Sequence, residues 1–203
     1  MGKQMGIVIE HILTMSTENI HKTGSCRISP YLVLCAIISL CIVSIAQTTY
    51  AEPREYEVKA AFLYNFGKFV EWPEDSFGDA KSPFIICALG EYPRSGALDT
   101  IDGKNINGRK VLIKRIESIE DGEKCHILFV SASEKQNLSQ IFRTVKHWSV
   151  LTVGDIKGFA GAGGMINFIS TDNRIGFEIN VSATEKANLK ISSKLLKLGN
   201  IVN

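Results

Sequence analysis

Three short apolar runs bounded by turn residues set the tightest limit on what this chain can become. Residues 83–89 read PFIICAL, 126–130 read HILFV and 150–153 read VLTV. None alternates polar with apolar, and each is too brief for a helix. Each therefore suits a strand buried on both faces. The segment between the second and third runs, 134–147, carries Leu138, Ile141, Phe142 and Val145 at helical spacing. A short helix is expected over 93–101. A further strand, 109–116 (RKVLIKRI), follows the Asn107-Gly108 turn. Buried strands separated by helices predict one α/β domain of three layers, with a mainly parallel central sheet and helices on both faces.

The flanks add local detail. Residues 55–72 (EYEVKAAFLYNFGKFVEW) have a helical period. Val58, Phe62 and Phe69 fall on one face, Ala61 and Phe66 on a wide apolar stripe, and Pro73 ends the helix. Gly67 costs that helix about 1 kcal/mol relative to alanine, so it marks a close packing contact. Residues 165–169 and 174–181 predict an antiparallel hairpin. The second strand alternates, with Ile175, Phe177, Ile179 and Val181 on one face and Arg174, Gly176, Glu178 and Asn180 on the other. Ser182 and Glu185 form a capping-box pattern that opens a final helix ending at Gly199. Lys186, Lys190, Lys194 and Lys197 make a basic stripe along it, read most simply as a solvated face.

The first 51 residues are of another kind. Residues 31–46 contain no charge, Lys22 and Arg27 precede them, and Thr49-Tyr50-Ala51 follows. That is the order of a secretory signal. Cleavage is expected near Ala51, leaving residues 52–203 as the domain. The apolar run is shorter than the ~20 residues of a membrane span, so no stable membrane insertion is expected after cleavage. Cys26, Cys35 and Cys41 leave with the leader. Cys87 and Cys125 reach an oxidising compartment and are expected to form a disulfide, the alternative being buried thiols in adjacent strands. A net charge of +2 gives no reason to expect nucleic acid, and no CxxC or HxxxH spacing supports a metal.

Candidate sites are few. The loop 158–164 (GFAGAGG) follows a strand, where open α/β sheets bind ligands. Amides at Gly161, Gly163 and Gly164 could cradle an anion, with Arg174 and Glu178 beside them as a ligand or partner surface. Against that, no GxGxxG or P-loop lysine is present, and a tight connection needing positive φ explains the glycines equally well. Ser131 and Ser133 end a strand, and the mature chain keeps His126 and His147. No G-x-S-x-G elbow or orienting carboxylate accompanies them, so neither a catalytic residue nor a cofactor is assigned and no enzyme is expected.

Three ordered segments carry a resemblance: YNFGKFVEWP (64–73), VLTVGDIKGFAGAGGMINF (150–168) and RIGFEINVSATEKANLKISSKLLKLG (174–199). Together they resemble the YfiR/HmsC group of secreted α/β proteins. The resemblance implies a periplasmic protein that binds the sensor domain of a membrane-bound diguanylate cyclase and holds it inactive, lowering cyclic di-GMP and biofilm signalling. It implies a homodimer and a role for redox state. Cys87 and Cys125 match one cysteine pair of such proteins. A second pair found in some relatives at the glycine loop is replaced here by Phe159, Ala160 and Ala162. The alternative is a periplasmic module binding a nucleotide or amino acid for another sensor or transport system.

Overall fold

A computed structural model describes residues 51–92, 96–171 and 174–202. The signal-peptide expectation lies outside the described residues. The chain runs through α1 (Ala51–Phe69), β1 (Val70–Glu71), β2 (Phe84–Leu89), β3 (Asn105–Ile106), β4 (Arg109–Ile116) and β5 (Ile127–Val130). It continues through α2 (Leu138–Val145), β6 (Leu151–Gly154), β7 (Ile166–Thr171) and β8 (Arg174–Asn180). The last elements are α3 (Val181–Lys186), β9 (Lys190–Ile191), α4 (Ser193–Leu196) and β10 (Asn200–Val202).

Eight strands form one sheet in the order β10-β8-β7-β6-β5-β2-β4-β3. Strands β4, β2, β5, β6 and β7 run parallel, as the continuous apolar runs require. Strand β8 turns back on β7 in the expected hairpin, with Ile166 opposite Ile179 and Phe168 opposite Phe177. Strand β10 then adds parallel to β8. Helix α1 covers one face through Leu63 and Phe66, and the Phe66 ring meets Phe168 and Phe177. Helix α2 covers the other through Ile141 and Val145, against Leu128 and Val130. The three-layer α/β architecture is therefore the one expected.

Several local expectations are corrected. Helix α1 stops at Phe69, and its next residues form a two-stranded ribbon with β9, Val70 opposite Ile191. Its buried face is turned from the one expected: Lys59, Ala60, Leu63 and Phe66 are inside, while Val58 and Ala61 face outward. Among the described residues of the expected short helix, Leu98–Ile101 coil as a 3-10 turn. The segment expected to be helical from residue 134 starts as a 3-10 turn, Ala132–Asn137, and becomes α-helical at Leu138. The single C-terminal helix does not form. Asn188 takes φ +58, which breaks the chain into α3, β9 and α4. The cap of α3 is Asn180, whose side chain accepts the Ala183 N–H at 2.9 Å; Ser182 is already inside the helix. The lysine stripe is thereby dispersed over separate elements.

Gly67 is the packing contact expected of it. A Cβ there would stand 2.7 Å from the Ile106 side chain and 3.2 Å from the Phe84 ring. The missing side chain lets α1 lie close on the sheet.

Candidate functional site

The parallel strands give the sheet two unlike edges, and the chemistry divides between them. At the carboxyl edge, Asp155 follows β6 and meets Lys59 from α1. The Lys59 ammonium lies 2.5 Å from Asp155 Oδ2 and 2.5 Å from Glu55 Oε1, its own i−4 neighbour. It also stands 4.8 Å over the Tyr56 ring. Its side chain is 2% exposed, those of Asp155 and Glu55 23% and 39%. Burial alone would lower the lysine pKa, but the hydrogen bonds and charges of the two carboxylates outweigh it and hold the pKa above its ordinary value. Lys59 is thus a fixed cation tying α1 to the start of the glycine loop.

Beside it opens a cleft of about 1010 Å³ that includes Tyr92, Arg115, Ser131 and Ser133. The two serines are already engaged. Ser131 Oγ donates to the Glu91 carbonyl, and Ser133 Oγ accepts the Glu91 N–H at 2.9 Å. The Tyr92 hydroxyl is buried here without a hydrogen-bond partner among the described residues.

At the amino edge, His126 enters β5 between the rings of Phe77 and Phe84, at centroid distances of 4.4 and 4.9 Å. Its Nδ1 accepts the Ile85 N–H at 3.0 Å, so Nε2 carries the proton and donates to the Ser76 carbonyl at 3.2 Å. Burial lowers its pKa from the ordinary 6.5 to about 4; the Ser76 and Ile85 hydrogen bonds oppose the fall and the Arg109 charge adds to it. His147 lines the cleft beside it. Ser131 and His126 therefore sit at opposite ends of β5, about 16 Å apart at the rise of a strand. His126 is thus out of reach of the serines at the far end of the strand.

The neutral His126 gives a pH prediction. Its pKa is lower folded than unfolded, so its contribution is complete above pH 6.5 and is lost as pH falls toward 4. The loss amounts to at most about 3 kcal/mol. Urea unfolding of the wild type and of His126→Phe, compared at pH 7.5 and 4.5, should show a shallower pH slope in the variant. Parallel slopes would place the titration elsewhere.

The expected disulfide is present. Cys87 in β2 joins Cys125, just ahead of β5, with Cα atoms 5.9 Å apart and exposures of 0% and 4%. It lies in the α2-side core, away from the Lys59 cluster.

The glycine loop is built for packing. Phe159 is fully buried, and Cβ atoms at Gly154 and Gly164 would fall 2.4 and 2.1 Å from its ring. The amides of Phe159, Ala162, Gly163 and Gly164 are spent within the loop, on the carbonyls of Ile156, Gly158, Ala160 and Phe159. The buried Asn167 and Asn180 hold it from outside, Asn167 accepting the Ile156 N–H and Asn180 donating to the Ala160 carbonyl. Neither Gly163 nor Gly164 therefore has a free amide to offer an anion. Gly161 is exposed, while Gly163, at φ +117, borders a separate cavity of about 310 Å³. Arg174 stands exposed at the hairpin tip. The Glu178 carboxylate lies 3.4 Å from the Asn167 amide and is not paired with Arg174 among the described residues. The five residues thus do not converge on one surface.

Lys59 does not stand out by motif, although a lysine inside an apolar helical stripe with an acid four residues before it is a readable signal. Asp155 carries no sequence signal beyond its place just after an apolar strand run.

Comparison with known proteins places this architecture. A search of curated proteins finds no match. Among solved structures, the chain is similar to the ABC domain in complex with L-Trp from Streptococcus pneumonia, at 11% identity and a TM-score of 0.41. That alignment covers 59% of this chain, which spans only 55% of that structure's length, and it carries no argument. The YfiR/HmsC-like family model matches residues 56–200, from the first helix to the last strand. The chain belongs to the YfiR/HmsC-like family.

Proposed function

We propose that this is a periplasmic regulatory protein that binds the periplasmic sensor domain of a membrane diguanylate cyclase and holds the cyclase inactive. The observation that carries the reading is the family match, which extends over residues 56–200 and so includes nearly the whole domain. Members of the family are periplasmic regulators, not catalysts, and the leader pattern of residues 31–51 agrees with export. Among the described residues no helix is long and apolar enough to cross a membrane. The working form is proposed to be a homodimer, with no cofactor.

Deleting the gene should raise cellular cyclic di-GMP and biofilm mass, and the tagged protein should retain a membrane cyclase from solubilised membranes. Unchanged cyclic di-GMP together with no retained cyclase would reject the proposal.

A further inference from the structure

We infer that the cavity between the glycine loop, α2 and α3 is a binding site for a small amphipathic anion: one carboxylate or phosphate monoester on a short apolar body. The inference is independent of the regulatory reading. The cavity holds about 310 Å³, at the small end of the ~300–1,000 Å³ typical of ligand pockets. Its body is apolar, walled by Phe142, Val145, Met165 and Ala187. Two exposed lysines, Lys146 just after α2 and Lys186 at the end of α3, line it with no carboxylate among the lining residues. Neither lysine has an ion-pair partner among the described residues.

The interior polar group is compatible with an acceptor. Thr152 is 1% exposed; its Oγ1 accepts the Met165 N–H at 3.1 Å, and its hydroxyl proton is there to donate to an acceptor on the ligand. Asn180 is spent on the Ala183 N–H and the Ala160 carbonyl, which keep this wall rigid. Apolar walls under cationic groups select a ligand with an apolar body and an anionic head. A neutral analogue loses the charge term, and a cationic one is repelled.

Octanoate and octyl phosphate are suitable probes, because the pair separates a carboxylate source from a phosphate source. Isothermal titration calorimetry on the purified protein should give one site with a Kd of ~0.1–1 mM, the range open to a ligand of about ten heavy atoms. Octanol should bind at least fivefold more weakly and octylamine not at all. The K146Q/K186Q double variant alters two exposed side chains, should keep the wild-type thermal midpoint, and should weaken octanoate about tenfold. Ala183→Leu, which fills the cavity from α3, should abolish binding. Amide shifts on titration should centre on Gly163, Met165 and Ala183. The inference is overturned by no heat from either anion at ~5 mM, several times the weakest affinity expected. Equal binding of octanol, unchanged affinity in K146Q/K186Q, or shifts centred elsewhere would overturn it equally.

Discussion

Breaking the Cys87–Cys125 bond should destabilise the domain by about 4 kcal/mol, the loop-closure entropy of a 38-residue crosslink. For a domain of this size that corresponds to a fall in thermal midpoint of roughly 8–15 °C. Cys87→Ala/Cys125→Ala should show the same shift, plus whatever the alanines lose in packing at these buried positions. The buried sulfurs add a kinetic expectation. With exposures of 0% and 4%, the bond should be reduced only when the region around Cys125 opens. The rate of thiol appearance should therefore level off as dithiothreitol is increased. A rate that keeps rising linearly and does not change when urea destabilises the fold would mean that reductant reaches the closed protein. An unchanged midpoint after full reduction would mean that the crosslink contributes no stability.

Removing the carboxylates around Lys59 should cost nearly as much. Glu55→Gln/Asp155→Asn leaves an ammonium 2% exposed with no counter-charge, and stranded buried charges of this kind cost about 3–5 kcal/mol. Lys59→Met should cost less, about 1–2 kcal/mol, because Asp155 and Glu55 are partly exposed and can be hydrated once the cation is gone. The order of the two variants in urea unfolding is the test. A Lys59→Met variant less stable than the double carboxylate variant would contradict it. The lysine pKa is raised in the folded state, so its contribution is complete at neutral pH and is lost only as pH rises beyond the ordinary 10.5.

The parts of the fold that the sequence revealed are those where one physical demand dominates. Runs such as FIICAL and ILFV have no polar face to offer, so burial between layers was forced. The hairpin of β7 and β8 followed from alternation and turn residues. The C-terminus was misread because its helical spacing competed with a local backbone choice at Asn188 and with the sheet's demand for a further edge strand. Tertiary pairing overrode periodicity there. The glycine loop was legible as a place needing glycine, but the reason, a phenyl ring held between Gly154 and Gly164, comes from residues ten apart in the chain. The Lys146–Lys186 cavity was illegible for a similar reason. Its walls come from α2, β6, the glycine loop and the residue after it, the end of β8, and α3, and no local pattern records that they meet.

The ribbon joining Val70 to Ile191 has a consequence for how the chain acquires its structure. The end of α1 is secured by residues about 120 positions later, and Ser192 donates its N–H to the Phe69 carbonyl. Contacts so distant in the chain slow folding, since the intervening segment must close before they return any stability. A chain leaving a translocon amino end first would present Leu63 and Phe66 long before their partners on β7 and β8 arrive. That interval is when a holdase chaperone would matter most to its yield.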